Sequence, residues 1–372
     1  MMERRILVYV DLNGAPLLVG RLWARVRRNK ENATFEYDRS WLEHPQRFSL
    51  EPALTLGPGP FHAPSDKVLF GAIGDSAPDR WGRVLMRRAA RRHADREGTT
   101  PRTLWETDYL LMVDDEARQG ALRFAEREGG PFLAGSGAIR IPPLIELPRL
   151  LSAAEHVAAD TDSDEDLRLL LAPGSSLGGA RPKASVRDRD GHLAIAKFPH
   201  KDDEINTVVW EAVALTLAAT AGIAIPQYRL DTVTGKPVLL LRRFDRVEGA
   251  RVPFLSAMSM LGASDNETRS YLEIVDALRQ YGAAPKEDMR ALWRRIVFNL
   301  LISNTDDHLR NHAFVHQHAD IWELSPAFDL NPNPQPGERH LSTAIDRDTL
   351  ADVGDLLEIG RASCRERVYV LV

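Results

Sequence analysis

The sequence predicts an α+β chain of two lobes, a β-rich one followed by a mainly helical one, with an α/β subdomain in front of them. Three observations carry this reading. Residues 1 to about 145 open on strand-like apolar patterning and turn helical only from about residue 79. The next stretch, to about residue 250, places short apolar strand patterns around one long helical pattern. From about residue 255 helical patterning dominates, and it ends in an apolar run, a polar loop and a hairpin pattern.

The first unit, residues 1–145, begins with the strand pattern Ile6-Leu7-Val8-Tyr9-Val10. A helix is expected over residues 79–96, with Asp79 and Trp81 near its start, because an aspartate there can accept from the free N–H groups of the first turn. Gly129-Gly130-Pro131 and Gly135-Ser136-Gly137 mark loops, and Pro142-Pro143 marks a boundary. The basic stretches 25–28 and 87–96 and the acidic run 160–166 are expected as solvated surface.

In the second unit, residues 146–250, a Gly/Ser-rich turn runs from Gly174 through Lys183 into the strand Ala184-Ser185-Val186. Glycines let backbone N–H groups approach a phosphate closely. The turn matches neither a Walker A sequence nor GxGxxG, and alone it reads better as a plain loop. The strand pattern His192-Leu193-Ala194-Ile195-Ala196-Lys197 ends in a lysine, a position that alone is more often simple surface. Residues 205–221 form an amphipathic helix carrying Glu211, which is either solvated or paired with Lys197. Pro237-Val238-Leu239-Leu240-Leu241-Arg242 is a buried strand that leaves into the charged connector Arg243-Phe244-Asp245-Arg246.

In the third unit, residues 251–357, the apolar run Ile296-Val297-Phe298-Asn299-Leu300-Leu301-Ile302 predicts a helix. Next come the loop Asn304-Thr305-Asp306-Asp307-His308-Leu309-Arg310-Asn311 and the hairpin arms Ala313-Phe314-Val315 and Ile321-Trp322-Glu323-Leu324, then Phe328-Asp329. An Asp, an Asn five residues on and a later Asp are the order in which a protein-kinase-like site places its base and two metal ligands. Alone, Asp-Asp-His is also ordinary turn chemistry. The chain decides by order: Gly-rich turn, strand lysine, helix glutamate, hinge, catalytic loop and metal aspartate follow one another once each. The fold expected is therefore protein-kinase-like.

Across residues 4 to about 350 the chain resembles the HipA-like serine/threonine kinases, the toxin half of the bacterial HipA/HipB toxin–antitoxin pair. The resemblance rests on Ser176-Leu177-Gly178-Gly179-Ala180-Arg181-Pro182-Lys183, Ala196-Lys197-Phe198-Pro199, Arg243-Phe244-Asp245-Arg246, the loop from Asn304 to Asn311, and Leu324-Ser325-Pro326-Ala327-Phe328-Asp329. Leu69-Phe70-Gly71-Ala72 and Asp75-Ser76-Ala77-Pro78-Asp79-Arg80-Trp81-Gly82-Arg83 are similar to the segment before that kinase core, which makes the first unit a HipA-type subdomain. The resemblance implies Asp306 as catalytic base, Asn311 and Asp329 as Mg2+ ligands and Lys197 on the ATP phosphates, with Glu211 pairing it. It implies that the backbone of Leu177, Gly178, Gly179, Ala180, Arg181, Pro182 and Lys183 covers those phosphates. The backbone of the connector, from Arg242 to Phe244, would meet adenine. Ser176, or the adjacent Ser175, stands where the family is autophosphorylated and switched off. Asp329 is followed by Leu330-Asn331 and not Phe-Gly, so regulation through that tripeptide is not expected. The implied partners are a protein substrate, such as an aminoacyl-tRNA synthetase or translation factor, and a HipB-like helix-turn-helix antitoxin, with DNA reached only through the antitoxin.

Composition sets outer bounds. At 372 residues the chain suffices for two or three domains, and 44% hydrophobic with 27% charged residues is the balance of a soluble globular protein. A net charge of −5 gives no general attraction to nucleic acid. The N-terminus lacks a signal-peptide pattern and the apolar run 212–225 is too short to span a bilayer, so a cytoplasmic location without membrane contact is expected. The single cysteine, Cys364, excludes an internal disulfide. Residues 358–368 resemble one reading frame of a DNA-sequencing adapter, so residues 358–372 read as a non-native tail on a truncated helical lobe. Two other functions compete: a small-molecule or lipid kinase on the same fold, and a non-catalytic subunit of a repressor complex.

Overall fold

The computed structural model describes residues 2–134, 141–171, 179–265, 267–334 and 340–346. The expectations for Ser175, Ser176, Leu177, Gly178, Cys364 and the tail 358–372 lie outside the described residues.

The N-terminal unit is built on an antiparallel sheet in the order Pro60–His62, Lys30–Tyr37, Ala15–Arg27, Met2–Leu12, Leu122–Ala125. Its first two hairpins are closed by two-residue turns, Asn13-Gly14 and Arg28-Asn29, with all four φ angles between 50° and 81°. That is the turn whose twist matches the strands it joins. Ile6, Val8 and Val10 alternate inward on the first strand and are fully buried.

The second sheet runs Lys183–Arg187, Leu193–Lys197, Lys236–Arg242, Tyr228–Val233, antiparallel throughout. Its pleat divides the apolar side chains between two cores. Val238 and Leu240 face the helices Leu147–Ala158 and Asp164–Leu171, with Trp81 and Leu85. Leu239 and Leu241 face the helix Thr207–Thr220 and, beyond it, Phe298, Ala327 and Leu330.

The C-terminal unit packs the helices Tyr271–Tyr281 and Pro285–Leu301 against a sheet ordered Phe254–Ser256, Ala313–His318, Ile321–Leu324. The expected hairpin is present, with Phe314 opposite Leu324. One apolar cluster joins the N-terminal sheet to this unit, running from Ile6 and Phe35 through Leu255 to Tyr271, Leu292 and Trp322. Among the described residues no helix is long and apolar enough to cross a membrane.

Two surface expectations hold for most of their residues, Arg87, Arg91, Arg96, Asp160 and Glu165 being exposed, but miss a contact. The basic stretch 87–96 and the acidic run 160–166 are paired with each other. Arg88, Arg92 and Arg96 share one face of the helix Arg80–Arg96 and meet Asp160, Asp162 and Asp164, with Arg96–Asp164 at 2.9 Å and Arg92–Asp162 at 3.2 Å. Asp162 is buried by this contact. Residues four apart on a helix align, so two opposed stripes close on one another.

Candidate active site

Lys197 ends its strand at the seam between the two lobes. Its Nζ donates to Glu211 Oε1 at 2.6 Å and Oε2 at 2.8 Å, and to Asp329 Oδ1 at 2.6 Å. Glu211 lies on the helix Thr207–Thr220, capped at its start by Asn206 accepting from the Val209 N–H. The three expected residues are thus brought together from a strand, a helix and a loop. Burial disfavours the lysine's charge, but Asp329 and Glu211 more than offset it and raise its pKa. Burial raises Glu211 despite Lys197. Asp329 feels the same desolvation, yet Lys197 and Lys183 hold it down to about 2. It therefore stays ionised at neutral pH, as a metal ligand must. Its backbone is left-handed, φ 59°, a conformation that Asp tolerates better than most side chains.

Asp306 is exposed in the loop after the helix Pro285–Leu301, and Asn311 Nδ2 donates to its carbonyl at 2.9 Å. Partial desolvation raises the Asp306 carboxyl, with Asp329 and Asp307 adding to the rise and His308 and Arg80 opposing it. Asn311 and Asp329 each carry a side-chain oxygen, the donor type that suits Mg2+ shared with phosphate oxygens. Among the described residues no cluster of three or more His, Cys, Asp or Glu is placed to hold a metal by itself.

The second half of the Asp306-Asp307 pair has a different task, which the sequence did not reveal. Asp307 is buried, accepts from Tyr271 Oη, and lies 3.0 Å from His312 Nε2, while its carbonyl accepts from Thr343 Oγ1 at 2.7 Å. It anchors the loop so that its neighbour can stay exposed.

Of the expected phosphate-covering segment, Gly179 to Lys183 is described. Lys183 is buried, its Nζ donating to Gly179 O at 3.1 Å and to Asp79 Oδ2 at 2.9 Å. Gly179 has φ 96°, and a Cβ there would come within 3.8 Å of Asp329 Oδ2. The described part of the turn thus lies close to Asp329.

At the expected hinge, Arg242 and Arg243 spend their N–H groups on Gln227 O and Leu193 O, at 2.8 and 3.0 Å. The Phe244 ring packs 5.6 Å from Phe328, next to Asp329. Arg243 and Arg246 turn to the N-terminal unit. Arg243 donates to Asp245 and to the carbonyls of Ala117 and Arg118, Arg246 donates to the carbonyls of Arg118 and Gly120, and Asp245 accepts from Gly120 N at 2.7 Å. The charged connector is a clamp between units.

Comparison with known proteins gives the family and the fold. The family model described as HipA-like C-terminal domain matches residues 175–368, and the HipA N-terminal domain model matches residues 13–107. The "Putative kinase Y4mE" of Sinorhizobium fredii (strain NBRC 101917 / NGR234) is 26% identical over 329 residues, covering 80% of this chain and 71% of that protein. A "Putative kinase" of Haemophilus influenzae (strain ATCC 51907 / DSM 11121 / KW20 / Rd) is 23% identical over 187 residues, 44% of this chain and 54% of that one. Among solved structures, a chain of the Shewanella oneidensis MR-1 HipA, HipB and operator DNA complex superposes with a TM-score of 0.68. It is 16% identical and the match covers 98% of this chain and 87% of that one, a likeness of fold.

Proposed function

Because this chain belongs to the HipA-like family, we propose that it is an ATP-dependent serine/threonine protein kinase, the toxin of a toxin–antitoxin pair. The observation that carries the reading is the bonding of Lys197 to both Glu211 and Asp329, beside the exposed Asp306. This is the lysine–glutamate pair and metal aspartate that phosphoryl transfer requires.

Each residue then has a definite task. Glu211 orients Lys197, whose ammonium binds nucleotide phosphates. The backbone from Gly179 to Lys183 covers them, and the Phe244 segment receives the adenine. Mg2+ held by Asn311 and Asp329 would neutralise phosphate charge. Asp306 accepts the proton of the attacking hydroxyl, and the Asp307 anchor fixes where that carboxylate stands. Phosphorylation of Ser176 would switch the enzyme off, since a phosphoserine brings about −1.5 to −2 charge to a site built for phosphates. A HipB-like antitoxin would hold the chain near DNA, in the cytoplasm, and a protein of the translation machinery would be the target.

The test is radiolabelled ATP with a protein lysate, run beside a metabolite panel and an Asp306→Asn control. Label on protein serine or threonine, absent with Asp306→Asn, is expected. Label confined to metabolites would overturn the protein-kinase reading.

A further inference from the structure

The N-terminal unit enters the site through the start of the helix Arg80–Arg96. Asp79 caps that helix, its Oδ1 accepting from Gly82 N at 2.8 Å. Its other oxygen accepts from Lys183 Nζ at 2.9 Å. Trp81 completes the attachment, its backbone N–H donating to Gly179 O at 3.4 Å and its indole N–H to Lys183 O at 3.0 Å. One three-residue segment is therefore bonded on both sides of Arg80 to Gly179 and Lys183, the first and last described residues of the expected phosphate-covering turn. Both anchoring side chains are buried. Arg80 itself is exposed, and among the described residues its guanidinium makes no hydrogen bond or short ion pair. Its charge nevertheless reaches Asp306, drawing that carboxyl down.

The bonds of its two neighbours fix the Arg80 backbone beside Gly179 and Lys183, and a Cβ on Gly179 would come within 3.8 Å of Asp329 Oδ2. We propose that Arg80, supplied by the N-terminal unit, is a further catalytic residue that contacts the phosphoryl group in transfer, with Asp79 its positioning residue. This rests on the kinase reading above. In the step concerned, the substrate oxygen bonds to the γ-phosphorus while the bond to the β–γ bridging oxygen breaks. ADP leaves with that electron pair, and the hydroxyl proton passes to Asp306. Charge spreads over the three equatorial oxygens as this happens, and a guanidinium fork stabilises it better than a point charge. The helix cap and the Asp79–Lys183 bond tie Arg80 to the same turn that covers the phosphates. The N-terminal unit is thereby part of the catalytic apparatus and not only its support.

The test uses the full chain and two readouts. Turnover is measured for wild type, Arg80→Ala, Arg80→Lys and Asp306→Asn, and calorimetry gives the affinity for ADP–Mg2+ with and without aluminium fluoride, which mimics the planar phosphoryl group. Arg80→Ala should cut kcat about 10²-fold or more. It should change ADP affinity less than about threefold and lose most of the gain that aluminium fluoride confers. Arg80→Lys should recover part of both. Asp79→Asn, which keeps the cap but weakens the grip on Lys183, should lower kcat less than Arg80→Ala. Wild-type kcat in Arg80→Ala, with Asp306→Asn inactive, overturns this inference alone. So does an Arg80→Ala loss shared equally by ADP and its fluoride complex. Turnover retained in Asp306→Asn overturns the kinase reading itself.

Discussion

Lys197 stands between the buried Glu211 and the half-buried Asp329, so its removal disturbs more than its proposed phosphate contact. Lys197→Met would leave Glu211 and Asp329 facing one another with their directly bonded counter-charge gone and Lys183, which donates to Asp79, left to offset them. Breaking a buried pair from one side costs about 3–5 kcal/mol, whereas replacing both sides is far milder. Thermal unfolding should therefore show Lys197→Met strongly destabilised and Lys197→Met/Glu211→Gln partly restored. A Lys197→Met protein as stable as wild type would remove the network from the account. Asp306 gives the contrasting case. It is exposed and only partly desolvated, so Asp306→Asn should keep its melting temperature and its ATP affinity. Phosphoryl transfer should fall by at least the 10²–10⁴-fold that a general base typically supplies. Near-normal turnover of this folded variant would refute the base assignment. These residues were legible because their spacing is short or their order fixed: Asp306 and Asn311 lie five apart on one loop. Asp79 was legible only as a helix cap. Its second partner, Lys183, is 104 residues away, and nothing local to either residue announces a pair.

The connector after the strand Lys236–Arg242 shows how an element can carry work that its own sequence does not announce. The sequence suggested a hinge that offers backbone groups, and in the structure the side chains of Arg243, Asp245 and Arg246 close on residues 117–120. Burial pushes the Asp245 carboxyl up, but Arg243 and Arg246 more than offset this and hold it well below the usual range. A depressed folded-state pKa contributes stability that is present above the unfolded value, about 3.9, and is lost as pH falls through the folded one. Asp245→Ala should therefore cost about 3–5 kcal/mol at pH 7, because it strands two buried guanidinium groups, and less at pH 3. Denaturant unfolding at the two pH values measures the difference. Equal losses at both would show that charge pairing is not the cause. The paired stripes of the helix Arg80–Arg96 and residues 160–164 repeat the lesson. Either run alone looks solvated, because polar composition marks an exposed face unless the opposite charge is known to lie against it.

The seating of the N-terminal unit on the C-terminal one was the least legible feature, since periodicity reports which face of an element is apolar and not which element covers it. The contact is close: a Cβ on Gly71 would meet Ser259 Cβ and Oγ at 2.7 Å and Glu51 Oε2 at 3.0 Å. Asp75 accepts from Ser256 N at 2.7 Å and from its hydroxyl at 2.8 Å across the same seam. Glu51 accepts from Ala72 N at 2.5 Å, but burial, with Asp75 nearby, raises its pKa to about 7 against the weaker pull of Lys67. A carboxyl whose folded-state pKa is raised favours folding fully below its unfolded value, about 4.3, and loses that contribution as pH rises through 7. At pH 8 the seam thus holds a buried carboxylate at a cost of a few kcal/mol. Glu51→Gln keeps an oxygen for the Ala72 N–H and removes the charge. It should raise the melting temperature at pH 8 and leave it nearly unchanged at pH 5. If the gain over wild type fails to grow between those two values, Glu51 is not the group that loosens the seam. If it grows, and kcat changes with it at pH 8, then the seating of the N-terminal unit reaches the active site, as it must if that unit carries Arg80 to the phosphoryl group.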